Sequence, residues 1–156
     1  MSASSEHPRR LELTALMTPD MANFSGKVHG GALLKLLDEV AYSCAARYSG
    51  QYVVTLVLDD ALFRAPVHVG DLVTFKACVN HVGRTSMDVG IRVVAANPRV
   101  RVERHVMSCF FVMVAMTDEG KPTLVPRFEP ETDDDVRRWK NAERRRELRM
   151  SARERG

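Results

Sequence analysis

One short stretch of this chain holds most of the groups that could do chemistry. It runs Asn23-Phe24-Ser25-Gly26-Lys27-Val28-His29-Gly30-Gly31 and then, after an apolar run broken by Lys35, reaches Asp38-Glu39. An amide, an imidazole, two neighbouring residues without a Cβ and a carboxylate are groups able to take part in catalysis. Backbone N–H groups can hold an oxygen that turns negative, and a carboxylate can attack a carbonyl or take a proton from water. Gly30 and Gly31 allow a tight turn and the close approach of a ligand to the backbone. A helix starting there would leave its first N–H groups without intrahelical partners, at the positive end of its dipole.

Spacing restricts how these groups can cooperate. Asp38 lies eight residues beyond Gly30, about 12 Å along a helix at ~1.5 Å per residue. Both groups of one chain can hardly serve a single carbonyl carbon. If both are catalytic, one comes from a second subunit, and a dimer with its site at the interface is expected. Each residue also has a plainer reading. A carboxylate beside Leu34, Ala41 and Ala45 is costly unless it is paired or used, so Asp38 is either structural or catalytic. Asn23 can be a turn former capping its own loop, His29 a structural loop histidine, and Gly30-Gly31 a simple turn. Glu39 points about 100° away around the helix, toward solvent.

The elements that must position these groups follow from periodicity. The residues after Gly31 are nearly all strong helix formers, and Leu33, Leu37, Val40, Cys44 and Tyr48 recur at helical spacing. Loop and helix occupy about 21–48, with Ser49-Gly50 as a glycine cap. Before them, residues 1–10 read as disordered, Leu11–Met17 as an edge strand, and Thr18-Pro19-Asp20 as a turn. After them the period changes to two: strands are expected at Tyr52–Leu58, Val73–Val79, Met87–Val93 and about Val100–Met116. Arg101 and Glu103 are placed on one face of the last strand, whose end from Phe110 is apolar on both faces and therefore covered on both. One long helix with four or five antiparallel strands makes an α+β fold, the helix against one sheet face.

The last segment differs in character. Thr132 precedes Asp133-Asp134-Asp135, a cap followed by acids in the first turn of a helix. Asp133–Arg137 and Asp134–Arg138 are favourable i,i+4 pairs, Val136 and Trp139 are anchors, and the end frays toward Gly156. Residues 131–156 contain nine Lys and Arg against seven acids. A solvated helix covering a subunit surface is expected there rather than a nucleic-acid arm.

Composition excludes several classes. At 156 residues, 45% hydrophobic, 28% charged and net +3, the chain reads as one soluble globular domain with a tail and no call for nucleic acid. Cys44, Cys78 and Cys109 show no zinc or disulfide spacing and read as buried small hydrophobes in a reducing compartment. No apolar run is long enough for a membrane helix, and Met1–Arg10 lacks the apolar core of a secretory signal. A cytoplasmic location is expected. No GxSxG elbow, HExxH, Walker loop or dinucleotide fingerprint occurs, so no metal or redox cofactor is implied.

The motif Asn23…His29-Gly30-Gly31…Leu37-Asp38-Glu39-Val40-Ala41 resembles the hot-dog-fold acyl-CoA thioesterases, in particular the acyl-CoA hydrolase branch. The likeness continues through Val53-Val54-Thr55, Phe63-Arg64-Ala65-Pro66-Val67-His68-Val69-Gly70-Asp71, Val82-Gly83-Arg84-Thr85-Ser86-Met87, Phe111-Val112-Met113-Val114-Ala115, Gly120-Lys121-Pro122 and Val125-Pro126. It spans residues 11–127 and leaves 128–156 as a charged helical extension. The resemblance implies a sheet wrapped around the helix, two subunits joining their sheets, and dimers assembling into trimers of dimers. It implies hydrolysis of acyl-CoA to free acid and coenzyme A, with Asp38 as nucleophile or general base. Gly30, with Gly31, would be the oxyanion donor, Asn23 would orient substrate or water, and His29 would help position the thioester. Coenzyme A phosphates need cations, hydroxyls and backbone donors. Arg84, Thr85 and Ser86 match that segment, unless they form only a hairpin turn, with Arg64 a weaker candidate. Coenzyme A would be part of the substrate, with no separate cofactor. An acyl-CoA-binding sensor without turnover is the alternative on the same fold.

Overall fold

The computed structural model describes residues 7–155. In chain order the elements are β1 (Arg10–Leu16), a 3-10 turn (Pro19–Met21), α1 (Gly30–Ser49), β2 (Tyr52–Asp59), β3 (Leu72–Val82), β4 (Ser86–Ala96), β5 (Glu103–Met116) and α2 (Asp133–Arg155). The strands form a single antiparallel sheet in the order β1-β3-β4-β5-β2, so β1 and β2 are its edges.

Helix α1 lies on one face and contacts all five strands. Its stripe of Leu33, Leu37, Val40, Ala41, Cys44, Ala45 and Tyr48 is buried, as the 3.6-residue period requires. Gly50 ends it in a left-handed conformation, φ 69°, where a glycine is the natural residue. The facing strands supply every second residue: Val73, Phe75, Ala77 and Val79 from β3, Met87, Val89, Ile91 and Val93 from β4, Cys109, Phe111, Met113 and Ala115 from β5. The three thiols are buried and free, and burial pushes Cys44 and Cys109 up to about 12, so they act as small hydrophobes.

Helix α2 covers the opposite face. Its own Ala142 is buried against the sheet, Trp139 packs edge-on against Phe128 and 4.2 Å from the His81 ring, and Arg145 lies 3.5 Å over the Phe110 ring. Ion pairs Arg145–Asp88 and Arg149–Asp59 fasten it to β4 and β2. With α1 on one side and α2 on the other, the apolar end of β5 is covered on both faces, as its sequence predicts. Among the described residues no helix is long and apolar enough to cross a membrane.

Three expectations differ from the structure. Residues 7–10 are ordered: His7 Nδ1 lies 2.9 Å from the Tyr48 carbonyl, Val79 N donates to Arg9 O at 2.8 Å, and Arg10 opens β1; residues 1–6 lie outside the described region. Strand β5 starts at Glu103, because the Asn97 carbonyl accepts from both Val100 and Arg101 and holds Arg101 in a left-handed turn, φ 58°. The i,i+4 pairs at the start of α2 do not form. Thr132 does cap the helix, accepting from Asp135 N at 3.0 Å, but Asp135 turns inward to Arg9 at 3.0 Å and Asp134 pairs with Arg137 at 3.1 Å. Fraying at Gly156 falls outside the described residues.

The Arg9 hydrogen bonds hold the Asp135 carboxyl below its ordinary value, against the opposing effect of burial. A depressed folded value contributes stability above the ordinary carboxylate range and loses it as pH falls through the folded value. Asp135→Asn should therefore cost about 1–2 kcal/mol at pH 7, and the difference between urea midpoints of the two proteins should shrink below about pH 4.

Candidate active site

The loop from Ala22 to His29 is held by its own polar groups. Ala22 and Val28 form an isolated bridge, Asn23 N donates to Lys27 O at 2.7 Å, and Gly26 takes the turn with φ +80°. Asn23 Oδ1 accepts from Ser25 N at 2.9 Å, Ser25 Oγ at 2.6 Å and Lys27 N at 3.2 Å. The loop-capping role of Asn23 is thus real, and it occupies the side-chain oxygen alone. The exposed Nδ2 amide remains as a donor. Val28 N donates to Val67 O and His29 N to Met21 O, which seats the loop against the β2–β3 connection.

His29 is the N-cap of α1: its Nδ1 accepts from Ala32 N at 3.2 Å. That contact needs the neutral ring with its proton on Nε2. His29 therefore organises the helix end, and its Nδ1 is not free to hold a substrate. With Ala32 N satisfied, the N–H groups of Gly30 and Gly31 have no protein acceptor among the described residues. Neither glycine takes a positive φ, so a forced turn does not explain them. A Cβ on Gly30 would only touch the Phe63 ring at 3.5 Å, and one on Gly31 would press on His29 Nδ1 at 3.3 Å. An added methyl at 30 would lie in the space beside the Phe63 ring.

That space is a cleft of about 410 Å³ lined by Asn23, Lys27, Gly30, Leu33, Phe63 and Arg64. Arg64 is placed by its own N–H, which donates to Val106 O at 2.7 Å. The connection bearing it is fastened by buried Asp71, whose carboxylate accepts from His68 N and pairs with Arg104. Structure thus brings together Asn23, Gly30 and Arg64.

Asp38 sits two turns along α1, exposed at the side of the uncovered edge strand β2. Its Oδ1 accepts from Thr55 Oγ1 at 2.5 Å, and Thr55 Oγ1 lies 3.5 Å from Met113 Sδ. Thr55 is a candidate site residue that sequence reasoning did not single out. Its signal was a lone hydroxyl on the helix-facing side of an otherwise apolar run. Directly after it β2 carries an irregularity at Leu56, which reorients the strand.

Arg84, Thr85 and Ser86 do form the β3–β4 hairpin, closed by Gly83 N to Ser86 O at 2.9 Å. Carbonyls of Arg84 and Thr85 accept from Val125 N and Ala115 N, leaving the Arg84 side chain exposed. Ser86 pairs with Val114, which pairs with Val54, so the hairpin stands two strands from Thr55. One chain therefore presents two separate groups: Asn23, Gly30 and Arg64 at one end of α1, and Asp38 with Thr55 nearer the hairpin. Among the described residues no cluster of three or more His, Cys, Asp or Glu could hold a metal.

The chain is similar to known proteins along most of its length. The thioesterase superfamily matches residues 25–102. Protein VdlD of Helicobacter pylori is 45% identical over 140 residues, 90% of this chain and 80% of that protein. Human cytosolic acyl coenzyme A thioester hydrolase is 32% identical over 147 residues, 92% of this chain but 38% of that much longer one. An apo-hexameric acyl-CoA thioesterase superposes with TM-score 0.87 at 34% identity, covering 92% of each chain. The Staphylococcus aureus acyl-CoA hydrolase, solved with butyryl coenzyme A, coenzyme A and its disulfide, gives 0.84 at 28% identity over 92% of this chain and 88% of that one. Alanine variants of that enzyme have been solved at an asparagine, an aspartate and a threonine spaced 15 and 17 residues apart, the separations of Asn23, Asp38 and Thr55 here. Fold, motif order and spacing together place this chain in the thioesterase superfamily.

Proposed function

We propose that the protein hydrolyses acyl-CoA thioesters to free acid and coenzyme A, at sites shared between two subunits. The observation that carries this reading is the division of one chain into a donor end and a carboxylate end, each incomplete alone. Gly30 N–H, with Gly31 beside it, receives the thioester oxygen, and the Asn23 amide orients the carbonyl or the attacking water. Asp38 comes from the other subunit. The Thr55 hydroxyl fixes its Oδ1, which leaves Oδ2 to take the proton from water or to attack the carbonyl carbon itself. In the first route a C–O bond forms as water loses its proton to Asp38. The tetrahedral intermediate then expels the coenzyme A thiolate, which recovers that proton.

Arg84, Thr85 and Ser86, with Arg64, supply cations and hydroxyls for the coenzyme A phosphates. Edge strand β2 and its connection expose Leu56, Leu58, Leu62 and Phe63. An apolar, unpaired edge is a surface for a second copy of the sheet, and trimers of such dimers follow the hexameric relatives. Water, a carboxylate and backbone donors complete the chemistry, so the reading takes coenzyme A as part of the substrate and adds no cofactor. A cytosolic location belongs to the same reading, supported by the cytosolic hydrolases among its relatives.

Free thiol release from acyl-CoAs of graded chain length tests it. Wild type should turn over, and Asp38→Asn should lose at least about a hundredfold in kcat with its assembly intact. Binding without turnover by wild type would mean a sensor, and equal turnover by both would remove Asp38 from the chemistry. Gly30→Ala should melt within about 1 kcal/mol of wild type, because the helix start tolerates alanine. It should still lose about tenfold or more in kcat/KM, as the methyl enters the cleft that Gly30 and Phe63 line. Unchanged kcat/KM would remove the oxyanion role from Gly30.

A further inference from the structure

The face of the sheet turned away from α1 carries a second arrangement of charge that the hydrolytic site does not use. Between β3, β4, β5 and the first half of α2 lies a hollow of about 250 Å³, ample for more than water alone. Its cations come from both walls: Lys76 and Arg92 from the sheet, Arg137, Arg138 and Arg145 from the helix. Asn80, Ser108 and Asn141 add polar atoms, and no acid lines it.

Sheet register makes this concentration of charge deliberate in structural terms. Lys76 and Arg92 are direct cross-strand partners, and Arg92 in turn pairs with Ser108. Like charges directly opposite one another destabilise a sheet unless something neutralises them. Two of the five cations have carboxylate partners: Arg145 with Asp88 and Arg137 with Asp134. Among the described residues, Lys76, Arg92 and Arg138 have none within salt-bridge distance, although exposed Glu12 stands opposite Lys76 on β1.

Unused hydrogen-bonding capacity points the same way. Arg138 Nη1 and Arg145 Nε are both buried without a protein partner. A buried guanidinium N–H without an acceptor is unfavourable, and a phosphate oxygen is the acceptor whose charge and fork geometry suit it. Gly90 at the base of the hollow leaves no room for a side chain, since a Cβ there would lie 2.5 Å from Asn80 Nδ2 and 3.1 Å from Phe110. The floor is thus closed, and Asn80 and Phe110 are held beneath the arginines.

We infer that this hollow between the outer face of the sheet and α2 is a binding site for a compact oligophosphate group, separate from the thioesterase site. Donors on opposite walls call for more than one phosphoryl group. The inference stands on the hollow itself and is independent of the hydrolytic reading.

Inorganic pyrophosphate is the probe. Titration calorimetry on the intact protein at low ionic strength should show saturable binding, one per chain, that weakens as salt is raised. Lys76→Gln/Arg92→Gln, two exposed positions whose loss leaves the core intact, should weaken it about tenfold or more, and Arg138→Gln should do likewise. Without pyrophosphate the double variant should melt no lower than wild type, because the opposed charges are gone, and it should keep the wild-type KM for acyl-CoA. Absence of saturable binding to wild type would mean that the hollow holds only water and would overturn the inference. So would binding that survives both variants, or a raised KM in the double variant, which would make the hollow part of the coenzyme A site.

Discussion

The length of α1 between Gly30 and Asp38 governs this protein. About 12 Å of helix, immobilised because its apolar stripe contacts all five strands, keeps the backbone donors and the carboxylate of one chain apart. No rotamer or loop movement closes that gap, since shifting α1 would mean repacking Leu37, Val40, Ala41 and Cys44, all but fully buried. Catalysis by these groups therefore requires a second chain. The same packing that stabilises the monomer leaves the proposed site incomplete within it.

Local contacts refine what that helix sets out. His29 consumes the Ala32 N–H and thereby leaves the Gly30 and Gly31 donors as the open ones. Asn23 spends its oxygen on its own loop and keeps its amide outward. Thr55 engages one oxygen of Asp38 and leaves the other. In each case one atom of a residue does structural work while another stays available, so structural and functional readings of the residue are compatible.

Features set by near neighbours in sequence were legible there. The stripe of α1, its Gly50 cap, the period-two strands and the Thr132 cap each follow from residues within a few positions of one another. What was not legible arises from distant pairings. Order at residues 7–10 depends on Arg9 reaching Asp135, 126 residues away, and that contact also removes Asp135 from the local ion pairing its surroundings suggested. Thr55 becomes a site residue only because β2 lies beside α1. The cations of the outer face were scattered over three segments, and only the register of Lys76 with Arg92, with α2 laid across them, brings them together. Motif order reached further than periodicity did, because Asn23, Gly30 and Asp38 lie close in sequence while the chemistry proposed for them spans two chains.

Subunit complementation tests the shared site most directly. Asp38→Asn and Asn23→Ala, each inactive alone, would be unfolded together, refolded as a mixture and assayed for thiol release. Donor and carboxylate from different chains predict recovery toward a quarter of wild-type turnover, because about half of randomly paired dimers are mixed and each has one intact site. A mixture that stays as inactive as its parents, with mixed dimers shown to be present, would contradict the account and place the whole site within one chain.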